Sequence, residues 1–120
     1  MRGYKMKTEL TRFRIKPGKS EVVDEWMKFL NDNMSEVLLT LKDEKMYVES
    51  IFREKTEDAE YLYWFSVQGE NGADVNDSES WIDKRHLEYF WECIDTSIQP
   101  FDLDTEVVMI PENISAMMKD

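Results

Sequence analysis

The residue pattern predicts an α+β domain with element order βαββαβ. Three observations carry this. Four short segments alternate side-chain character at period two, two longer segments repeat their apolar residues at three and four, and Pro or Gly punctuates several of the joins. Such an order has a standard solution: a four-stranded sheet with two helices on one face.

The elements follow in order. Residues 8–15, TELTRFRI, alternate, with Leu10, Arg12 and Arg14 on one side and Thr11, Phe13 and Ile15 on the other, and Pro17-Gly18 stops the strand. From about Ser20 to Leu41 a helical stripe runs through Val22, Val23, Trp26, Met27, Leu30, Met34, Val37, Leu38 and Leu41. Asn31-Asp32-Asn33 weakens its middle, because short polar side chains compete for backbone groups, and a kink or new cap is expected near Asn33.

The second strand is read over 46–53, with Met46, Val48, Ser50 and Phe52 on one face and Tyr47, Glu49, Ile51 and Arg53 on the other. A polar connection at 54–60 leads to a third strand at 61–68, YLYWFSVQ, whose bulky residues occupy both faces. Residues 69–79 read as a surface loop. A second helix over 80–98 carries Ile82, His86, Tyr89, Phe90, Cys93, Ile94 and Ser97 on its inward stripe, and Pro100 ends it. The last strand is placed at 105–110, TEVVMI. One domain covers 1–120, with a core at 8–111 and terminal segments at 1–7 and 112–120.

The resulting fold is a ferredoxin-like βαββαβ sandwich. Two helices cover only one sheet face, yet Tyr61, Tyr63 and Phe65 oppose Leu62 and Trp64 across the third strand. A second subunit over the open face is therefore expected, pairing two sheets into a homodimeric α+β barrel. The alternatives are a monomer with an aromatic surface, or a face used by another protein.

Composition narrows the partners. Fifteen basic and 26 acidic residues leave a formal net charge of -11, which argues against nucleic acid and against an anionic membrane surface. The start MRGYKMKTEL lacks a signal-peptide core, and a single cysteine, Cys93, makes no internal disulfide, so a cytoplasmic location is expected.

The opening RFRIKPGK, residues 12–19, and the segment YLYWFSVQG, residues 61–69, resemble a bacterial protein family of no established activity. With the element order, the opening also resembles the dimeric α+β barrel superfamily. That resemblance implies a two-sheet barrel. It leaves function open, since members include small monooxygenases, haem-degrading enzymes, sugar mutarotases, dehydratases, ligand sensors and structural proteins.

Few residues suggest chemistry. His86 is the single histidine, readable as a packed core side chain with one hydrogen-bond partner or as an acid–base group. Arg12, Arg14, Glu49 and Arg53, with Tyr47 and either Trp64 or Tyr63, form one candidate face. It reads either as a salt-bridge network or as a small-ligand site, with arginines for an anionic or polar ligand and Glu49 as hydroxyl acceptor or weak candidate base. No metal set, phosphate loop, dinucleotide fingerprint or triad is present, so no metal or cofactor is assigned. The functional expectation is a cytoplasmic homodimer that is non-catalytic or binds a small ligand. The alternative is a small barrel enzyme of monooxygenase-like or mutarotase/isomerase-like type, acting on a small polar or aromatic molecule.

Overall fold

The computed structural model describes residues 6–118, so the outermost parts of both terminal segments lie outside the described residues. The chain forms β1 (Met6–Arg14), α1 (Ser20–Asp32), α2 (Met34–Asp43), β2 (Met46–Lys55), β3 (Glu60–Gly69), α3 (Trp81–Cys93), β4 (Phe101–Leu103) and α4 (Glu112–Ser115), with a 3-10 turn at Val75–Asp77. The four strands make one antiparallel sheet in the order β2-β3-β1-β4. This is the ferredoxin-like arrangement.

The sheet is open, which corrects the expected barrel and the superfamily assignment built on it. Strands β2 and β4 are opposite edges with no ladder between them. Strand β4 is only three residues long, and closure requires continuous pairing around the whole circumference.

The side chains divide where β1 predicts. Phe13 packs edge-on against Trp64 at 6.1 Å and Phe90 at 5.4 Å between ring centres, and Ile15 is buried. These residues face the helices. The core gathers Ile15, Val23, Trp26, Leu62, Tyr89, Cys93 and Ile94 between sheet, α1 and α3.

The long first helix is two helices. Asn33 leaves helical geometry at φ -113°, ψ 30°. Its side-chain Nδ2 donates to the Phe29 carbonyl at 2.8 Å, as Asn31 Nδ2 does to Met27 at 2.9 Å, which is the backbone competition expected of these residues. Helix α1 buries Val23 and Trp26, whereas α2 buries no residue. The apolar stripe of α2 therefore borders a cleft instead of closing a core.

Two boundaries move furthest. Helix α3 ends at Cys93, five residues short of the expected end, because Ile94 turns extended and bridges Ile15 while Asp95 N–H donates to the Arg14 carbonyl at 2.8 Å. The last strand lies at 101–103 and not at 105–110. Its ladder runs from Phe101 opposite Arg12 to Leu103 opposite Leu10. Beyond it Thr105 Oγ1 is 2.8 Å from Thr8 Oγ1, and Val107, Val108 and Met109 are exposed. A β-bulge between Met46 and Val48 also interrupts the alternation of β2 at Tyr47.

The loop after β3 is fastened to the turn after α2. Gly69 N–H donates to the Lys45 carbonyl at 2.8 Å and Ala73 N–H to the Asp43 carbonyl at 2.9 Å. Gly72 lies so close to Glu44 that an added methyl would overlap its backbone carbonyl. Gly72→Ala is expected to lower stability by about 1–3 kcal/mol and to speed hydrogen exchange at the Gly69 and Ala73 amides. An unchanged urea midpoint would show that the loop yields freely.

Candidate functional site

The sheet, α1, α2 and α3 enclose a cleft of about 1290 Å³ that opens to solvent. Its position follows from the break at Asn33: α1 buries Val23 and Trp26 in the core, but α2 meets the sheet along β2 and buries no residue. One wall is apolar, built by Met27, Leu30, Met34, Val37, Leu38 and Leu41. The sheet floor presents Phe13, Glu49, Ile51, Trp64, Ser66 and Gln68, and α3 contributes Asp83 and His86.

The polar groups of the floor hold one another. Trp64 Nε1–H donates to a Glu49 carboxylate oxygen. Gln68 Nε2 donates to Glu9 Oε1 at 3.2 Å and to Ser66 Oγ at 3.0 Å. Trp26 Nε1–H donates to His86 Nδ1 at 3.0 Å, which requires an unprotonated Nδ1 and leaves the proton of the neutral ring on Nε2. The His86 ring also lies 5.5 Å from Trp64 and 5.6 Å from Trp26 between centres. Burial pushes its pKa down to about 4, against a smaller opposing pull from Asp83.

Three carboxyl groups crowd this end of the cleft. Burial, followed by the charge of Asp83 and then that of Glu49, raises Glu44 to about 7. Burial likewise raises Glu49, with the Trp64 hydrogen bond opposing and Asp83 adding to the rise. Asp83 itself is 5% exposed, and its Oδ2 is buried with no hydrogen-bond partner. A buried carboxylate oxygen left unpaired is costly, and the neighbouring Glu44 carboxyl, when protonated, hydrogen-bonds to Asp83; once Glu44 ionises, Asp83 is left without a donor. Among the described residues, no group of three or more His, Cys, Asp or Glu is placed to hold a metal ion.

The sequence-predicted face is split by the sheet. Glu49 and Trp64 line the cleft together with His86. Arg53 shares their side of β2 but lies at its far end, where it donates to Asp24 Oδ1 at 2.5 Å, Ser20 O at 2.9 Å and Glu60 Oε2 at 3.1 Å. It ties α1 to the β2–β3 hairpin and does not line the cleft. Arg12 and Arg14 are on the opposite, open face. Arg12 sits 4.8 Å from the Tyr61 ring centre and 5.5 Å from that of Phe101, and Arg14 sits 5.8 Å from Tyr61. Tyr63, on that open face, donates to Glu54 Oε1 at 2.7 Å, so Trp64 is the aromatic on Glu49's side. Tyr47 stands at the bulge and is not a cleft residue. The grouping failed because alternation relates residues within one strand, while the match between strands depends on register. Glu49 pairs with Ser66 and Arg12 with Tyr63, on opposite faces of β3.

Sequence reasoning passed over Glu44, Asp83 and Trp26. Two signals were present. Asp83 and His86 are three apart on one helix face, and an aspartate beside Ile82 on an inward stripe is out of place.

Three solved structures share the fold. A conserved protein from Methanosarcina mazei Go1 is 21% identical, with TM-score 0.53 over 84% of this chain and 93% of that one. Rv0793 from Mycobacterium tuberculosis is 10% identical, with TM-score 0.51 over 87% and 98%. An L-rhamnose mutarotase from Formosa agariphila is 19% identical, with TM-score 0.50 over 88% and 99%. At these identities the likeness shows the fold alone. No curated protein matches the chain significantly. Among the described residues no helix is long and apolar enough to cross a membrane. The sequence pattern that does match spans residues 6–116, every element from β1 to α4 with the whole cleft, and by it the chain belongs to a family described as "Family of unknown function (DUF6176)".

Proposed function

We propose that the protein binds a small organic molecule, uncharged or cationic, in the cleft between sheet and helices. The observation that carries this is the unpartnered, buried Asp83 Oδ2 beside Glu44 and Glu49, in a cleft with an aromatic floor and an apolar wall. Concave, mostly apolar sites with a few convergent polar groups are the usual form of ligand pockets. Glu49, Trp64 and His86 are the binding residues, joined by Asp83 and Glu44. An anionic ligand is disfavoured, because three carboxyls crowd the cleft while Arg12 and Arg14 lie across the sheet. The test is a screen of small neutral, cationic and anionic compounds followed by amide and indole NMR. Binders are expected to shift the Trp64 indole and His86, and anions to shift neither. Shifts confined to Arg12, Tyr61 and Phe101 would overturn this placement.

A second reading is proton transfer on a bound sugar-like molecule. It is supported by Glu44, whose pKa of about 7 suits an acid–base group near neutral pH, and by the fold shared with an L-rhamnose mutarotase. Mutarotation needs one group to protonate the ring oxygen and another to take the anomeric hydroxyl proton. Saturation-transfer NMR of anomer exchange tests it, with Glu44→Gln expected to abolish any acceleration.

The open face carries exposed Phe52, Phe101 and Leu103 beside Tyr61, Tyr63 and Phe65. We assign it to homodimerisation, supported by the exposed apolar arm at 107–109 that continues from β4. Light scattering at micromolar concentration checks this, with a dimer mass expected and a monomer mass excluding it. A buried thiol at Cys93, with its pKa raised to about 11 by burial, accords with the reducing cytoplasm, where we place the protein.

A further inference from the structure

We propose that the occupant of the cleft is an amphiphilic ammonium, a primary or secondary amine whose charged head meets Asp83 and Glu49 and whose hydrocarbon body lies along Met27, Met34 and Leu38. This rests on the cleft being a small-molecule site and names the chemistry it selects. Three features single out an ammonium. The buried Asp83 Oδ2 has no partner while Glu44 is ionised; the protonated Glu44 carboxyl can hydrogen-bond to Asp83, and an N–H of an ammonium replaces that proton and adds the opposite charge. Among the described residues, Lys7 is the one lysine or arginine lining the cleft, and it is 67% exposed and already paired with Glu9 at 3.0 Å, so the described lining offers Asp83, Glu44 and Glu49 no buried counter-charge. The floor is indole, with Trp64 in the cleft and Trp26 behind it at 5.7 Å between ring centres, and aromatic faces attract cations.

The opposite wall rejects the rival occupants. From Met27 to Leu41 the wall is mostly apolar, and its two polar residues, Asn31 and Thr40, already donate to the Met27 and Val37 carbonyls, so it suits the hydroxyls of a polyol less than a hydrocarbon chain, to which flexible methionines adapt. A metal ion is not served either, since the carboxyls do not converge as a ligand set.

Binding of a cation is coupled to protons. The titratable groups around the head site are Asp43 at the end of α2, Glu44 from the turn after it, Glu49 from β2, Asp83 and His86 from α3, Lys7 and Glu9 from β1, and Glu70 and Asp74 from the loop after β3. Of these, Glu44 changes charge near pH 7. Its ionisation strengthens an ammonium and has little effect on an alcohol. Affinity for the ammonium therefore rises with pH.

The test is calorimetric titration of the full chain with hexylammonium, hexanol and hexanoate at pH 6 and pH 8. Hexylammonium is expected to bind about tenfold more tightly at pH 8 than at pH 6, as one proton leaves Glu44. Hexanol is expected to bind at least tenfold more weakly than hexylammonium at pH 8, with no pH dependence, and hexanoate not to bind. Asp83→Asn should remove most of the preference for hexylammonium over hexanol, and Glu49→Gln serves the same purpose if the first variant does not fold. Equal binding of hexanol and hexylammonium, or a preference untouched by both variants, overturns the ammonium and leaves the cleft as a binding site. Binding of none of the three removes amphiphiles as occupants, and the broader screen then decides whether the cleft takes any small molecule.

Discussion

Trp26→Ala will lower the unfolding free energy by about 3–5 kcal/mol, the range for truncating a large buried aromatic. That is a large share of the roughly 5–15 kcal/mol that holds a domain of this kind folded. The expectation rests on position. Trp26 is fully buried and joins the layers of the fold, stacked within 8° of parallel on Tyr89 at 6.3 Å, edge-on to Phe90 at 6.2 Å and tilted against Trp64 at 5.7 Å. Its loss would open a void between α1, α3 and the sheet and would strip His86 Nδ1 of its donor. Trp26→Phe separates the two effects. It keeps most of the packing and removes the hydrogen bond, so a loss of about 1–2 kcal/mol is expected. Urea unfolding at pH 7.5 measures both. A loss under 1 kcal/mol for the alanine variant would show that this packing does not hold the helices to the sheet.

What the sequence disclosed, and what it hid, divides along the same packing. Where one face of an element meets the core, periodicity reads it correctly. Phe13 and Ile15 turn inward while Arg12 and Arg14 turn out, and His86 falls on the stripe that meets Trp26. The weakness at Asn31–Asn33 was visible as composition and became a break between two helices. The open sheet was not legible, because nothing in one strand's alternation says whether edge strands find partners. The bulge at Tyr47 is a local slip of register that no period-two pattern reveals. The segment 105–110 reads as a strand because its composition is that of a strand, yet strands exist only in pairs, and among the described residues its contact with β1 does not go beyond Thr105 against Thr8.

The site was hidden for a related reason. In an acidic protein the arginines are the conspicuous charges, and an expectation centred on them points to the open face. Register places Arg12 and Arg14 on one side of the sheet and Glu49 on the other. The cleft depends instead on carboxyls whose meaning lies in their burial: Asp83 reads as an ordinary first-turn residue of α3 and Glu44 as part of a turn until the fold brings them together.

That burial makes the stability of the protein depend on pH in two opposing ways. His86 is held at about 4, below its ordinary 6.5, so it contributes stability that is fully present above pH 6.5 and is lost as pH falls through 4. Glu44 is held at about 7, above its ordinary 4.5, so it contributes stability that is fully present below pH 4.5 and is lost as pH rises through 7. Between pH 4.5 and 6.5 the two slopes oppose each other, and Glu49, also raised by burial, acts in the same sense as Glu44. Glu44→Gln mimics the protonated side chain and removes one of the opposing terms. Relative to the parent it is expected to gain stability at pH 8, and the gain is expected to shrink steadily as pH falls and to vanish near pH 4.5. His86→Gln should tilt the balance the other way, sparing the protein part of its loss below pH 6 while leaving the fall between pH 5 and 7. One proton accounts for at most about 1.4 kcal/mol per pH unit, and less at Glu44, which is only partly buried. Urea midpoints at four pH values between 4.5 and 8 read both slopes. Parallel profiles for Glu44→Gln and the parent would mean that Glu44 titrates in the folded protein as it does in the unfolded chain. The crowding of Glu44, Glu49 and Asp83 would then not govern the electrostatics of the cleft.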